Sequence, residues 1–265
     1  MLRQFPEASR KAPLWGAFFI AGVLSLATAP VRAADCAPPG PLHEAQVAHV
    51  VDGDTLRLSD GRSVRLIGVN MPELAHAGRV AEPLAEAARA QLQQLVAASG
   101  GRVRLAPGAQ AYDRYGRLLA HAFGGDGGNW EARLLAEGFG YAVAIAPNTA
   151  LSACLFAAER RARTAGRGVW RQPALAVSQL RAGGFARLRG TVMRVERNGG
   201  GLWLEMGALA VRVAPAWLAR FDAAAVQALA GREVEVRGWV VARQRGDGEG
   251  RWLLELTDPA MLEPR

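Results

Sequence analysis

Asp52, Asp54, Arg65, Asn70 and Glu73 fall inside one stretch, VVDGDTLRLSDGRSVRLIGVNMPE, which runs from Val50 to Glu73. Carboxylate, amide and carbonyl oxygens are the donors that a hard cation such as calcium prefers. Glu73 follows Pro72, and a carboxylate on a stiffened loop end can be aimed at a water molecule. Arg65 lies between Val64 and Leu66 on a run of strand type. Its guanidinium stays protonated and suits phosphate, which it grips with two parallel hydrogen bonds. A second such group, Arg117, closes Asp113-Arg114-Tyr115-Gly116-Arg117. Hydrolysis of a phosphodiester needs a nucleophile, a cation to polarise the phosphoryl oxygen, and fixed donors where charge builds up. Taken singly, each residue has a plainer reading. Asp52 and Asp60 suit turns, Asp113 suits a turn or support role, and Arg65 could be a solvated strand residue.

The elements that must hold these groups are legible nearby. Strand-type alternation covers Ala45–Val51, Thr55–Leu58 and Ser63–Val69, and Asp60-Gly61 is hairpin chemistry between the last two. Pro83 opens a helix that puts Leu84, Ala88, Leu92 and Leu95 on one stripe, and Gly100-Gly101 ends it. Short strands follow at Arg102–Leu105 and Leu118–Phe123. Asn129 caps a helix Trp130–Glu137 that Gly138 closes, and a third helix runs from Leu151 to Ala165.

The whole chain has 265 residues, half of them hydrophobic, which suffices for a substantial core and excludes wholesale disorder. Residues 1–33 read as an export signal: Arg3, Arg10 and Lys11, then apolar Ala12–Ala29, then Val31-Arg32-Ala33 before the cut. A retained anchor is the alternative. Cleavage implies a periplasmic or secreted protein with no stable membrane span. Removing that segment takes away four cations and one acid, so the net charge falls from +8 to +5, and every remaining cation is arginine. Cys36 and Cys154, the only cysteines, invite a disulfide in an exported protein, with two free thiols as the alternative. No Cys/His spacing suits zinc, and His43, His49, His76 and His121 are scattered.

Four motifs then stand in order: Asp52-Gly53-Asp54-Thr55, Arg65-Leu66-Ile67-Gly68, Pro72-Glu73, and Asp113 through Ala120. With Leu134–Gly138, Pro147-Asn148 and Gly168-Val169-Trp170, they resemble the thermonuclease family, typified by staphylococcal nuclease, over residues 45–171. The resemblance implies a calcium-dependent endonuclease for single-stranded DNA, with RNA as the other candidate substrate, that leaves 3′-phosphates. It implies Asp54, Asn70 and the backbone of Met71 as metal ligands. Glu73 would orient or deprotonate water, Arg65 and Arg117 would hold the phosphate, and Tyr115 would lie in the nucleotide pocket. Two positions depart from the pattern. Asn70 stands where the family commonly has aspartate, which removes a charge from the metal site, and Val143 stands where the typified member has a tyrosine.

Beyond a linker at 34–44 and this domain at 45–173, residues 174–265 form a second strand-rich unit. Strands are expected at Leu188–Glu196, Leu202–Met206, Leu209–Ala214, Glu233–Ala242 and Arg251–Leu256, with a helical stretch at Ala216–Leu229. That order suits a small OB-type barrel. The expected fold is therefore mainly β with helices (α+β): a five-stranded OB-like barrel with three helices, then a second, smaller OB-like barrel. Alternation puts Trp203, Arg212, Arg237 and Trp239 opposite the valine and leucine face. Aromatics interleaved with arginine suit single-stranded nucleic acid, though packing against the first domain is the equal alternative. The basic segment Arg243–Arg251 reads as a long hairpin loop. A monomer is expected. The competing functions are a catalytically weak nuclease fold that only binds nucleic acid, and an envelope protein whose OB unit binds another protein.

Overall fold

A computed structural model describes residues 1–2, 36–75, 78, 80–243 and 252–265. The expected export signal and most of the Arg243–Arg251 loop lie outside the described residues. No helix among those described is long and apolar enough to cross a membrane.

Strands β1 (His43–Val50), β2 (Thr55–Leu58) and β3 (Ser63–Leu66) form the first meander. Asp60 accepts from the Arg62 amide at 3.0 Å, and Gly61 supplies the positive φ of 88° that the turn requires. The run expected to continue to Val69 breaks after Leu66. Gly68 has φ 81°, so the chain turns and resumes as β4 (Val69–Asn70). Helix α1 (Ala85–Ala98) buries Ala88, Leu92 and Leu95. Leu84 sits just before it at φ 72°, so the helix opens after the leucine rather than at Pro83. Strand β5 (Arg102–Tyr112) is longer than its apolar start, because it pairs with β6 (Leu118–Phe123) out to Tyr112. Helix α2 (Trp130–Glu137) is capped by Asn129 and closed by Gly138 at φ 84°, as its sequence predicts. After β7 (Tyr141–Ala142), which pairs with β4, comes α3 (Ser152–Thr164). The five main strands close into a barrel in the order β1-β2-β3-β6-β5. A Cys36–Cys154 disulfide ties the segment before β1 to α3 across 118 residues.

The second half adds β8 (Leu175–Ala176), β9 (Gly184–Thr191), β10 (Arg194–Asn198), β11 (Gly201–Met206), β12 (Leu209–Val213), α4 (Ala223–Gln227), β13 (Glu233–Ala242), β14 (Trp252–Leu256) and β15 (Leu262–Pro264). They curl into a second sheet of eight strands, ordered β10-β11-β12-β14-β13-β9-β8 with β15 on β13, rather than the five strands expected of a smaller barrel. The single strand expected at Leu188–Glu196 is two strands. At Val192-Met193 the chain changes partners, from β13 to β11. The expected helical stretch is a 3-10 turn, Pro215–Arg220, followed by α4. Asp222 separates them and caps α4 by accepting from Ala224 and Ala225.

The two sheets share one contiguous apolar core within the compact unit Ala33–Arg265. At their seam Arg237, expected on an outward nucleic-acid face, is buried with 2% exposure. Its Nη1 donates to both oxygens of Glu159 on α3, at 2.7 and 2.8 Å, and to the Ala142 carbonyl at 3.3 Å. Alternation placed it opposite the valines correctly, but that half of the face is covered by the first barrel. Burial pushes the Glu159 carboxyl up, while Arg237 and the Ala142 amide pull it down. Arg163, Arg187 and Arg237 all lie over the Trp170 ring, at 5.0, 4.4 and 5.5 Å from its centroid.

Candidate active site

The loop after β1 is built to deliver Asp54. The Asp54 amide donates to Asp52 Oδ1 at 2.9 Å, and the Asp54 carbonyl accepts from the Leu66 amide at 2.8 Å. Gly53 must be glycine for space: a Cβ there would stand 2.8 Å from Met71 Cβ and 2.9 Å from Ala88 Cβ. The loop is thus pressed against α1 and the segment after β4, which brings Asp54 to Met71. Its Oδ2 accepts from the Met71 amide at 3.0 Å.

Arg65 reaches Asp54 from the adjacent strand. Thr55 and Arg65 are register partners on β2 and β3, so their side chains share a face. The Arg65 guanidinium ion-pairs with Asp54 Oδ1, which also accepts from Thr55 Oγ1 at 3.2 Å. It makes longer contacts, at 3.4 Å, to the Val69 carbonyl and Asn70 Oδ1. Burial pushes Arg65 down to about 10, with Asp52 opposing and Arg117 adding to the effect, so it remains a cation at neutral pH.

Arg117 is aimed by Asp113. The Arg117 amide donates to Asp113 Oδ1 at 2.9 Å and its Nε to Oδ2 at 2.7 Å, while the Tyr115 amide shares Oδ1. Burial pushes the Asp113 carboxyl up, but these bonds outweigh it and hold it below the usual range. Asp113 is a support residue, as its turn setting suggests. Glu73 is solvent-exposed. Its amide donates to Glu82 Oε2 at 3.1 Å and its carbonyl accepts from the Glu82 amide at 2.9 Å, which fixes the loop end that presents the carboxylate.

These elements converge on one cleft of about 440 Å³. Asp54, Arg65, Asn70, Glu73 and Arg117 all line it, so the structure brings together the five side chains singled out for metal and phosphate. Met71 is buried at 2% exposure, and its backbone amide is what meets Asp54. Tyr115 stands outside the lining, 68% exposed, with the Arg114 and Arg117 guanidinium groups over its ring at 4.8 and 5.7 Å. Trp203 and Arg212 pair across β11 and β12, with the guanidinium 5.2 Å from the indole centroid, and Arg212 also bonds Glu255 at 2.9 Å. They are not among the residues lining the cleft. Trp239 is.

Three supporting positions have no assigned role in the sequence reading beyond a turn acid at Asp52 and a motif at Pro147-Asn148. Asp52 braces Asp54. Asn148 clamps Gln110 through both its amide groups, donating to the Gln110 carbonyl at 3.0 Å and accepting from its amide at 2.8 Å. Glu82 holds Glu73. Pro147-Asn148 was visible as a motif, but the partner strand was not.

Among the described residues no cluster of three or more His, Cys, Asp or Glu side chains is placed to hold a metal. What Asp54, Asn70 and the Met71 backbone offer is oxygen, which fits calcium, with one formal negative charge rather than two. Arg65 supplies the countercharge to Asp54 in this structure.

A family model described as Staphylococcal nuclease homologue matches residues 63–172. The chain is similar to the thermonuclease of Staphylococcus intermedius, with 32% identity over 127 residues, covering 47% of this chain and 74% of that relative.

Proposed function

Because this chain belongs to the staphylococcal nuclease family, we propose that it is an exported, calcium-dependent endonuclease. It hydrolyses phosphodiester bonds of single-stranded DNA, with RNA as a second substrate. The observation that carries this reading is the convergence of Asp54, Arg65, Asn70, Glu73 and Arg117 on a single cleft.

Glu73 is the exposed carboxylate of the group, free to accept a proton from water and held by its backbone rather than by its side chain. Arg117 comes pre-aimed by Asp113. Arg65 and Arg117 bind the scissile phosphate and meet the extra negative charge that builds on its oxygens, without reorganising. Neither serves as a proton donor, because guanidinium does not give up its proton at working pH. Asp54 and Asn70, with the Met71 backbone, would hold calcium, which supplies a positive charge that polarises the phosphoryl oxygen. Tyr115, Trp203 and Arg212 are further contacts for the nucleic-acid strand, through stacking and phosphate neutralisation.

One observation favours a second reading, a nuclease fold that binds nucleic acid without turning it over. The amide at Asn70 leaves Asp54 as the only carboxylate among the proposed metal ligands. Cleavage of a fluorogenic single-stranded DNA by the purified protein, titrated with calcium and then with chelator, separates the two. Calcium-stimulated cutting supports the enzyme. Binding without cutting at any calcium concentration supports the binder.

A further inference from the structure

We propose that Trp239, on β13 of the second sheet, is the base-stacking surface of the nuclease cleft, so that the C-terminal unit completes the substrate site. This rests on the reading of the cleft as a nuclease site.

Among the described residues lining the cleft, Trp239 is the one aromatic, and it is 41% exposed. Val143 and Ile145 line the same cleft and are apolar but have no π-face. The cleft therefore has two phosphate-binding guanidiniums and one flat apolar surface, the pairing that single-stranded nucleic acid requires.

The indole is held in place rather than left loose. Phe185, its register partner on β9, meets it edge to face with centroids 5.1 Å apart. Tyr141 packs on Phe185 at 5.6 Å, and Trp170 on Tyr141 at 5.3 Å, so an aromatic ladder runs from the cleft to the seam. Two residues earlier on the same face of β13, Arg237 is locked to Glu159. The strand is thus docked at Arg237 and open at Trp239. The cleft wall is tied to the second sheet as well: the Ala146 amide donates to Thr257 Oγ1 at 3.0 Å. A stacked base beside Arg65 and Arg117 would keep its own phosphate within their reach. Recognition by a π-face tolerates all four bases.

The test uses the full protein, with Trp239→Ala and Trp239→Phe, on single-stranded oligonucleotides that carry one abasic site at successive positions. For intact DNA, Trp239→Ala should raise KM about tenfold, the scale of one lost base–aromatic stack, and leave kcat within about twofold. Trp239→Phe should recover most of the loss. One abasic position should weaken wild type by the same factor and leave Trp239→Ala unaffected. An unchanged KM in Trp239→Ala overturns the proposal. So does a joint fall of kcat and Tm that Phe does not rescue, because that marks a wall residue rather than a stacking one. If wild type cuts nothing, the nuclease reading has failed instead, and oligonucleotide affinity by anisotropy then decides Trp239 by the same abasic comparison.

Discussion

Among the arginine–carboxylate pairs of the described residues, two at different depths stand in contrast. Arg237 and Glu159, each with a side chain 2% exposed, are saturated at the seam, where Glu159 also accepts from the Ala142 amide at 2.7 Å. Arg65 and Asp54, 16% and 5% exposed, face a cleft. The first pair is buried, with Arg237 also donating to Glu263 at 3.3 Å, and it joins the second sheet to α3. In the second, under the proposed function, a cation would take over Asp54 while a phosphate takes Arg65. A buried ion pair therefore says little about function until one asks what could replace each partner.

The largest effect should come from breaking the closed pair. Arg237→Ala leaves Glu159 buried and unpaired, and should cost about 3–5 kcal/mol in denaturant unfolding. A loss below about 1 kcal/mol would show that the seam is wet and that the contrast between the pairs is unfounded. Reducing the Cys36–Cys154 bridge should cost about 2–5 kcal/mol, because it releases a long loop in the unfolded chain. Unchanged Tm under reductant, with thiols shown to be free, would contradict this.

Breaking the open pair should register in catalysis. Arg65→Ala should lower kcat by about 10²–10³-fold, the scale for removing one transition-state charge donor. Its Tm should fall less than that of Arg237→Ala, because removing the Arg65 side chain opens Asp54 to the cleft. Equal Tm losses would erase the distinction drawn above. The smallest change should come from Asn70→Asp. Restoring a charge to the proposed metal site should lower the calcium concentration for half-maximal activity about tenfold, on the link between ligand charge and affinity. No shift would remove Asn70 from the ligand set.

Much of this was legible in the residues. The turn at Asp60-Gly61, the Asn129 cap and Gly138 closure of α2, and the apolar stripe of α1 are local features with local causes. So was the cleft set, because Asp54, Arg65, Glu73 and Arg117 sit in motifs whose order survives in the chain. What alternation could not supply was the neighbour. It put Arg237 and Trp239 on one face of β13, yet one became a buried seam residue and the other a cleft residue, only two positions apart. The split of Leu188–Glu196 into β9 and β10 has the same origin, since an apolar run does not reveal where a strand changes partner. Strands of two or three residues, such as β8 and β15, are too short to show any period.

The most direct test of the central claim is single-turnover cleavage of single-stranded DNA by wild type and Glu73→Gln at saturating calcium, with binding measured on the same substrate. The account predicts that Glu73→Gln keeps its affinity within a few-fold and loses cutting by about 10²–10⁴-fold, the range for a positioned general base. Equal cutting by both proteins would place the chemistry elsewhere and contradict the assignment of this cleft.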